Sequence, residues 1–323
     1  KKFLICMPEG IAEVNNINIW WEDFGNPSDP SILLIMGANA NAMYWPHQFI
    51  EPLVNAGYHV IRFDNRDVGK STWFGKESFS SKLIRYFIPE FLVKVFLNRI
   101  FHSIIDENGY MKDMEIKNPT YTLDDMTKDA ISLMDHLKVD KAHIIGASLG
   151  GMITQLIALD YPERVLSITP IMTSPGMQDP GLSNMTPSLV NGIKESAILD
   201  AKGKHTDSLV RTYRELAGSR FPFDEKKFRE LLVSVMAHGH NPFCKHGETA
   251  ASQNRTSRLS EINTPTLIMH GTEDAIIGID HGMVLYEKIP NAKKYIMEGV
   301  GHELPDGLAD EIMEEIILHL RSI

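Results

Sequence analysis

Only two cysteines, Cys6 and Cys244, occur in 323 residues. That is too few for a disulfide framework, and neither lies in a spacing that ligates a metal, so a reducing cytoplasm is the expected home. Positive charge is also in short supply: 32 Lys and Arg stand against 42 Asp and Glu, a formal net charge of −10. A phosphate backbone would be repelled by that balance, so nucleic acid is not an expected partner. No uncharged apolar run reaches the ~20 residues that a membrane-spanning helix needs. The opening Lys1–Met7 is too short for a secretory apolar region and is ended by Pro8, although a start further upstream leaves export open. Internal repeats and low-complexity segments are absent, which removes solenoids and linker-like chains from consideration.

What is present is a hydrophobic content of 43%, enough for one α/β domain with insertions. Residues 9–25 alternate and turn at Asn15-Asn16, the pattern of an antiparallel hairpin at a sheet edge. Core strands are expected near 32–36 and 59–63, with a helix from about Gln48 to Asn55 between them. Thr122-Leu123-Asp124-Asp125 opens a helix in the manner of a capping box. It places Leu123, Met126, Ala130, Leu133, Met134 and Leu137 on one face. Strands alternating with helices imply a mainly parallel sheet covered on both sides.

Gly146-Ala147-Ser148-Leu149-Gly150 follows the apolar strand Ala142–Ile145 and precedes the helix-forming run from Met152 to Leu159. A serine on so sharp a strand-to-helix turn is presented at the strand's carboxyl end, under the positive end of a helix dipole. A hydroxyl needs a base to become a nucleophile, and the base needs an orienting carboxylate. Thr266–Met269 reads as a strand running through His270-Gly271 to Asp274, the expected acid, with Glu273 and Asp280 as alternatives. Tyr295-Ile296-Met297 is the last short strand, and His302 follows it after Gly299-Val300-Gly301. That loop is expected to be flexible enough to bring the ring down to Ser148. The chain order Ser148, Asp274, His302 is that of the nucleophile-elbow hydrolases. Donors for an oxyanion are expected from the backbone N–H of Leu149 and of Ala38, the latter in the loop after Ile32–Met36.

With these residues placed, the chain resembles the α/β-hydrolase family, in its esterase, lipase and haloperoxidase-like group, over nearly its whole length. Met36-Gly37-Ala38-Asn39, then Trp45-Pro46, and the loop from Arg62 to Ser71 are similar to the subgroup typified by aclacinomycin methylesterase. Many relatives carry His-Gly where Met36-Gly37 stands here. The change removes a side chain and keeps the backbone donor, so it bears on substrate class rather than chemistry. The resemblance implies that Asp64 and Arg66 are structural, and that neither a cofactor nor a metal is required. Relatives that open epoxides or remove halide carry aspartate at the position of Ser148.

Two insertions interrupt the expected core of residues 1–172 and 264–323. The larger, about 173–263, is expected to be a helical cap over the site. Its stretch His238-Gly239-His240-Asn241-Pro242-Phe243-Cys244-Lys245-His246 matches no ligand spacing and reads as a solvated loop rather than a zinc site. The smaller, about 76–119, reads as two helices with Pro89 in the first turn of the second. There Glu90, Lys94, Asn98 and His102 form a polar stripe on an otherwise apolar helix. Three arrangements suit it: a pair packed over the core at the site entrance, a peripheral membrane contact through about 82–105, or an interface between copies. The oligomeric state is open.

The expected activity is two-step hydrolysis of a small to medium apolar ester. A carbon–carbon bond hydrolase or a perhydrolase would use the same three residues. A ligand-binding homologue without activity would have no need to keep all three.

Overall fold

The computed structural model describes residues 8–110, 112, 118–177, 179–250 and 254–323. Cys6 therefore lies outside the described residues. Eight strands form one sheet: β1 (Glu9–Val14), β2 (Ile17–Phe24), β3 (Ser31–Ile35), β4 (His59–Phe63), β5 (Ala142–Ala147), β6 (Val165–Ile171), β7 (Leu267–Gly271) and β8 (Lys293–Met297). Their order across the sheet is β1-β2-β4-β3-β5-β6-β7-β8. The β1–β2 and β2–β4 pairs are antiparallel and the others parallel. The edge hairpin turns at Asn15 and Asn16, both with positive φ, 49° and 61°, a conformation that asparagine tolerates and that matches the twist of the two strands.

Helices cover both faces. On one side α4 (Leu123–His136), α5 (Leu149–Asp160) and α10 (Ile279–Lys288) pack on Leu33, Ile35, Ile61, Ile144 and Ile268. On the other, α1 (His47–Asn55) and α11 (Ala309–Arg321) pack on Ile32, Leu34, Val60, Ile145 and Met269. Neighbouring residues of one strand thus serve opposite faces, as the period of two requires. Because both faces are covered, the inner strands are apolar throughout rather than alternating. The capping box of α4 forms as expected, Thr122 accepting from Asp125 N–H while the Asp125 carboxylate accepts from Thr122.

Between β6 and β7 lie α6 (Pro187–Ala201), α7 (His205–Leu216), α8 (Glu225–His238) and the short α9 (His246–Ala250). The smaller insertion gives α2 (Phe79–Phe87) and α3 (Glu90–Ile104). Pro89 is the cap of α3 rather than a member of its first turn. This pair rests on α6, and Lys202, at the end of α6, donates to the carbonyls of Arg85 at 2.6 Å and Ile88 at 3.0 Å. The sheet's order turns at β3, which runs to β4 on one side and β5 on the other. The crevice at those carboxyl ends is where an open parallel sheet builds its site.

Candidate active site

Ser148 joins β5 to α5 with φ 55° and ψ −117°, a conformation costly for any residue with a Cβ and held only by its surroundings. Its N–H donates to Ile171 O at 2.8 Å and its carbonyl accepts from Thr173 Oγ1 at 2.6 Å. Both flanking glycines are forced by contact rather than by φ. A Cβ at Gly146 would stand 2.3 Å from Gly150 O, and one at Gly150 would stand 2.1 Å from Ile35 O. The elbow is thus pressed against the end of β3, where the next loop begins. Gly37 of that loop approaches so closely that a Cβ there would lie 3.0 Å from Ser148 Cβ and 3.6 Å from its Oγ. Ala38 follows Gly37, and Leu149 opens α5 immediately after Ser148. The two expected oxyanion donors therefore belong to segments that flank the serine.

Asp274 lies beyond β7 with its side chain fully buried, and its Oδ2 accepts from His302 Nδ1 at 2.7 Å. Its Oδ1 accepts the N–H groups of Ile276 and Ile277 at 3.0 and 2.8 Å. Burial works against its ionisation, but the neighbouring His302 charge and the hydrogen bonds from His270 and His302 win, holding its carboxyl well below the usual range. His270 Nε2 donates to Ile277 O at 2.8 Å and stands 3.4 Å from Asp274 Oδ2. The carboxylate is thus flanked by two rings. With Nδ1–H committed to Asp274, Nε2 is the nitrogen of His302 left to exchange a proton.

The loop that carries His302 is clamped rather than flexible, contrary to expectation. His302 N–H donates to Leu216 O at 2.7 Å and Arg220 N–H to Gly299 O at 2.8 Å. Gly218 N–H donates to Glu303 Oε1 at 2.9 Å. The glycines permit close approach, since a Cβ on Gly301 would lie 2.0 Å from Leu216 O. Residues 216–220, from the last residue of α7 into the connection to α8, also reach the loop of Asp274: Ser219 donates through N–H and Oγ to Glu273, both at 2.7 Å. One short segment therefore holds the loops of Asp274 and His302 together.

The histidine-rich stretch is likewise not a solvated loop. His238 Nε2 donates to Asp64 Oδ2 at 2.7 Å, and Asn241 donates to Asp67 Oδ1 at 2.9 Å. His246 is fully buried; its Nδ1 accepts Asn39 N–H at 3.0 Å and its Nε2–H donates to Arg66 O at 2.7 Å. Burial pushes its pKa down to about 4, so the ring is neutral. Cys244 is free, and burial pushes its thiol up to about 12, out of the reactive range. The stretch is a strap that ties residues 64–75 and the loop after Ala38 to α8. Asp64 accepts from Ala42 N–H and Lys70 N–H, and Arg66 makes a paired bond to Asp129 at 2.6 and 2.8 Å. Both are structural, as the resemblance implies.

Sequence reasoning missed His246, Glu303, Glu273 and the 216–220 segment as supports. His270 alone carried a local signal, four residues ahead of the acid and on the same strand exit.

A family model of the alpha/beta hydrolase fold matches residues 30–306. The chain is 27% identical to rhodomycin D methylesterase of Streptomyces peucetius, across 98% of this chain and 99% of that relative. It is 30% identical to 2-hydroxy-6-oxo-6-phenylhexa-2,4-dienoate hydrolase of Comamonas testosteroni, across 90% and 88%. Among solved structures, a bromoperoxidase from Bacillus anthracis aligns with a TM-score of 0.69 at 20% identity, covering 97% of this chain and 100% of that one. An enol-lactonase from Burkholderia xenovorans LB400 aligns at 0.67 and 17% identity, covering 97% and 100%. Those two likenesses concern the fold. Matched along most of its length by the family model, the chain belongs to the alpha/beta hydrolase fold family and is an enzyme.

Proposed function

We propose that this enzyme hydrolyses carboxylic esters through Ser148, His302 and Asp274. The observation that carries the reading is the buried Asp274 carboxylate bonded to His302 Nδ1 at 2.7 Å, in a chain whose Ser148 sits on a strained strand-to-helix turn. His302 takes the hydroxyl proton as Ser148 Oγ attacks the ester carbonyl, and Asp274 steadies the imidazolium. The N–H groups of Ala38 and Leu149 hold the oxyanion. His302 then gives its proton to the departing alkoxide, leaving an acyl-enzyme. Water, deprotonated by the same ring, attacks the acyl carbon and releases the acid and Ser148.

In this reading α6–α9, with α2 and α3 against them, form the cap that shapes the substrate pocket. The partner is a small-molecule ester with an apolar acyl or alcohol group, and the relatives named methylesterase support a methyl ester among them. A reducing cytoplasm suits the free, half-buried Cys244. A second reading, cleavage of a carbon–carbon bond beside a carbonyl by the same residues, draws on the 30% identity to the dienoate hydrolase.

The test is hydrolysis of p-nitrophenyl esters from acetyl to palmitoyl by the wild type beside Ser148→Ala. Serine-dependent turnover supports the ester reading, and its chain-length optimum reports pocket depth. Turnover that survives in Ser148→Ala refutes the assignment. Activity on a 2-hydroxy-6-oxo-dienoate without any on esters moves the reading to carbon–carbon cleavage.

A further inference from the structure

The α2–α3 pair keeps an apolar face in the open. Only Val93 and Phe101 of its residues are buried, and Leu97 between them completes the single inward stripe of α3. Nine of the sixteen large hydrophobics exposed among the described residues fall between Phe79 and Ile100, Phe79 at 83%, Phe87 at 75% and Phe91 at 64% among them. Such a concentration is unusual on a free soluble surface. Lysine and arginine stand inside this face rather than around it. Lys82 lies between Phe79, Leu83 and Tyr86 on α2, and Arg99 shares the outer side of α3 with Val95, Leu92 and Phe96, at helical spacings of three, four and seven.

The charge of the segment opposes that of the chain. Residues 76–105 hold five Lys and Arg against two Glu, in a molecule of net −10. Both acids are already paired, Glu77 with Arg85 at 2.9 Å and Glu90 with Lys94 and Lys204 at 3.2 Å. Among the described residues, Lys82 and Arg99 have no acidic partner. A second copy of this face would offer Lys82 and Arg99 no unpaired acid, since Glu77 and Glu90 are already engaged. A layer that is apolar inside and anionic at its surface accepts both features: the aromatic and aliphatic groups enter it while the long basic side chains reach outward to phosphate and carboxylate.

We infer that the outer face of α2–α3 is a peripheral docking site for anionic phospholipid bilayers, with Phe79, Phe87, Phe91 and Phe96 inserted and Lys82 and Arg99 at the headgroups. This does not depend on the ester reading, because it concerns binding alone. The anchoring of α2 by Lys202 would hold the pair at a set angle to the rest of the enzyme.

The test is co-sedimentation of the full chain with vesicles of phosphatidylcholine, with and without phosphatidylserine. Pelleting with the anionic vesicles, weakened by high salt, is the expected result. Lys82→Glu with Arg99→Glu should weaken it about tenfold or more, and Phe87→Ser with Phe96→Ser should abolish it. All four positions are exposed, so both variants should keep the wild-type melting temperature and circular dichroism spectrum. The inference is overturned if anionic vesicles pellet none of the protein, or if pelleting is indifferent to both variants. It is also overturned if light scattering shows a dimer in solution that Phe96→Glu dissociates.

Discussion

His246 Nδ1 accepts the backbone N–H of Asn39 at 3.0 Å, joining residues 207 apart in the chain. Asn39 has φ 59° and directly follows Ala38, so the ring fixes the exit of the loop that carries the proposed oxyanion donor. Replacing it with phenylalanine leaves the part-buried Asn39 N–H without its acceptor and strands the buried Arg66 carbonyl, the latter costing about 1–3 kcal/mol. His246→Phe is expected to lower the melting temperature and to reduce kcat by up to about 100-fold, with less effect on KM. His246→Gln, whose amide can accept from Asn39 and donate to Arg66, should recover part of both. Steady-state kinetics with thermal melts on the two variants check this.

The same ring should make the fold acid-sensitive. Burial depresses the pKa values of His246, His143 and His319 to about 4, against about 6.5 for an unfolded chain. A depressed value means that the unfolded chain binds the extra proton, so this stabilisation is full above pH 6.5 and is lost as pH falls toward 4. Asp274, also depressed, adds loss in the same direction below the ordinary carboxylate range. Melting temperature should be flat from pH 8 to about 6.5 and fall steadily below it; an unchanged melting temperature at pH 4.5 would contradict the assignment.

Asp274→Asn preserves acceptors for Ile276 and Ile277 but turns a donor toward His302. The imidazole would then settle in the tautomer that cannot take the serine proton. A loss in kcat of about 10⁴-fold is expected, with KM little changed. Burst kinetics with a p-nitrophenyl ester would locate the loss in acylation.

Ser148→Gly should stabilise the protein while abolishing turnover, because glycine relieves φ 55°. A gain of about 1 kcal/mol is expected, read from denaturant unfolding.

Two glycine substitutions should part company. In Gly150→Ala the new methyl meets Ile35 O at 2.1 Å, backbone that cannot step aside, and the variant should be insoluble or inactive. In Gly247→Ala nothing lies within 4 Å, and stability should be unchanged within about 0.5 kcal/mol. Soluble yield and melting temperature decide both.

The sheet, its two covered faces, the turn at Ser148 and the placing of Asp274 and His302 beyond two strand ends were legible because each rests on a local pattern. Apolar runs mark strands, glycines two places either side of a serine mark the elbow, and Asp274 and His302 follow the ends of β7 and β8. The hairpin at Asn15-Asn16 and the capping box at Thr122 belong to the same class, since their partners lie within a few residues. What only the tertiary structure decided is what holds those parts still. His246 meets Asn39, Gly218 meets Glu303 and Ser219 meets Glu273 across 207, 85 and 54 residues. A hydrogen bond between distant segments leaves no periodicity behind, and a histidine in a polar, proline-broken stretch has the same letters around it whether solvated or buried. The glycines before His302 suggested freedom for a similar reason. Glycine serves both mobility and close approach, and only the position of Leu216 O shows which of the two applies.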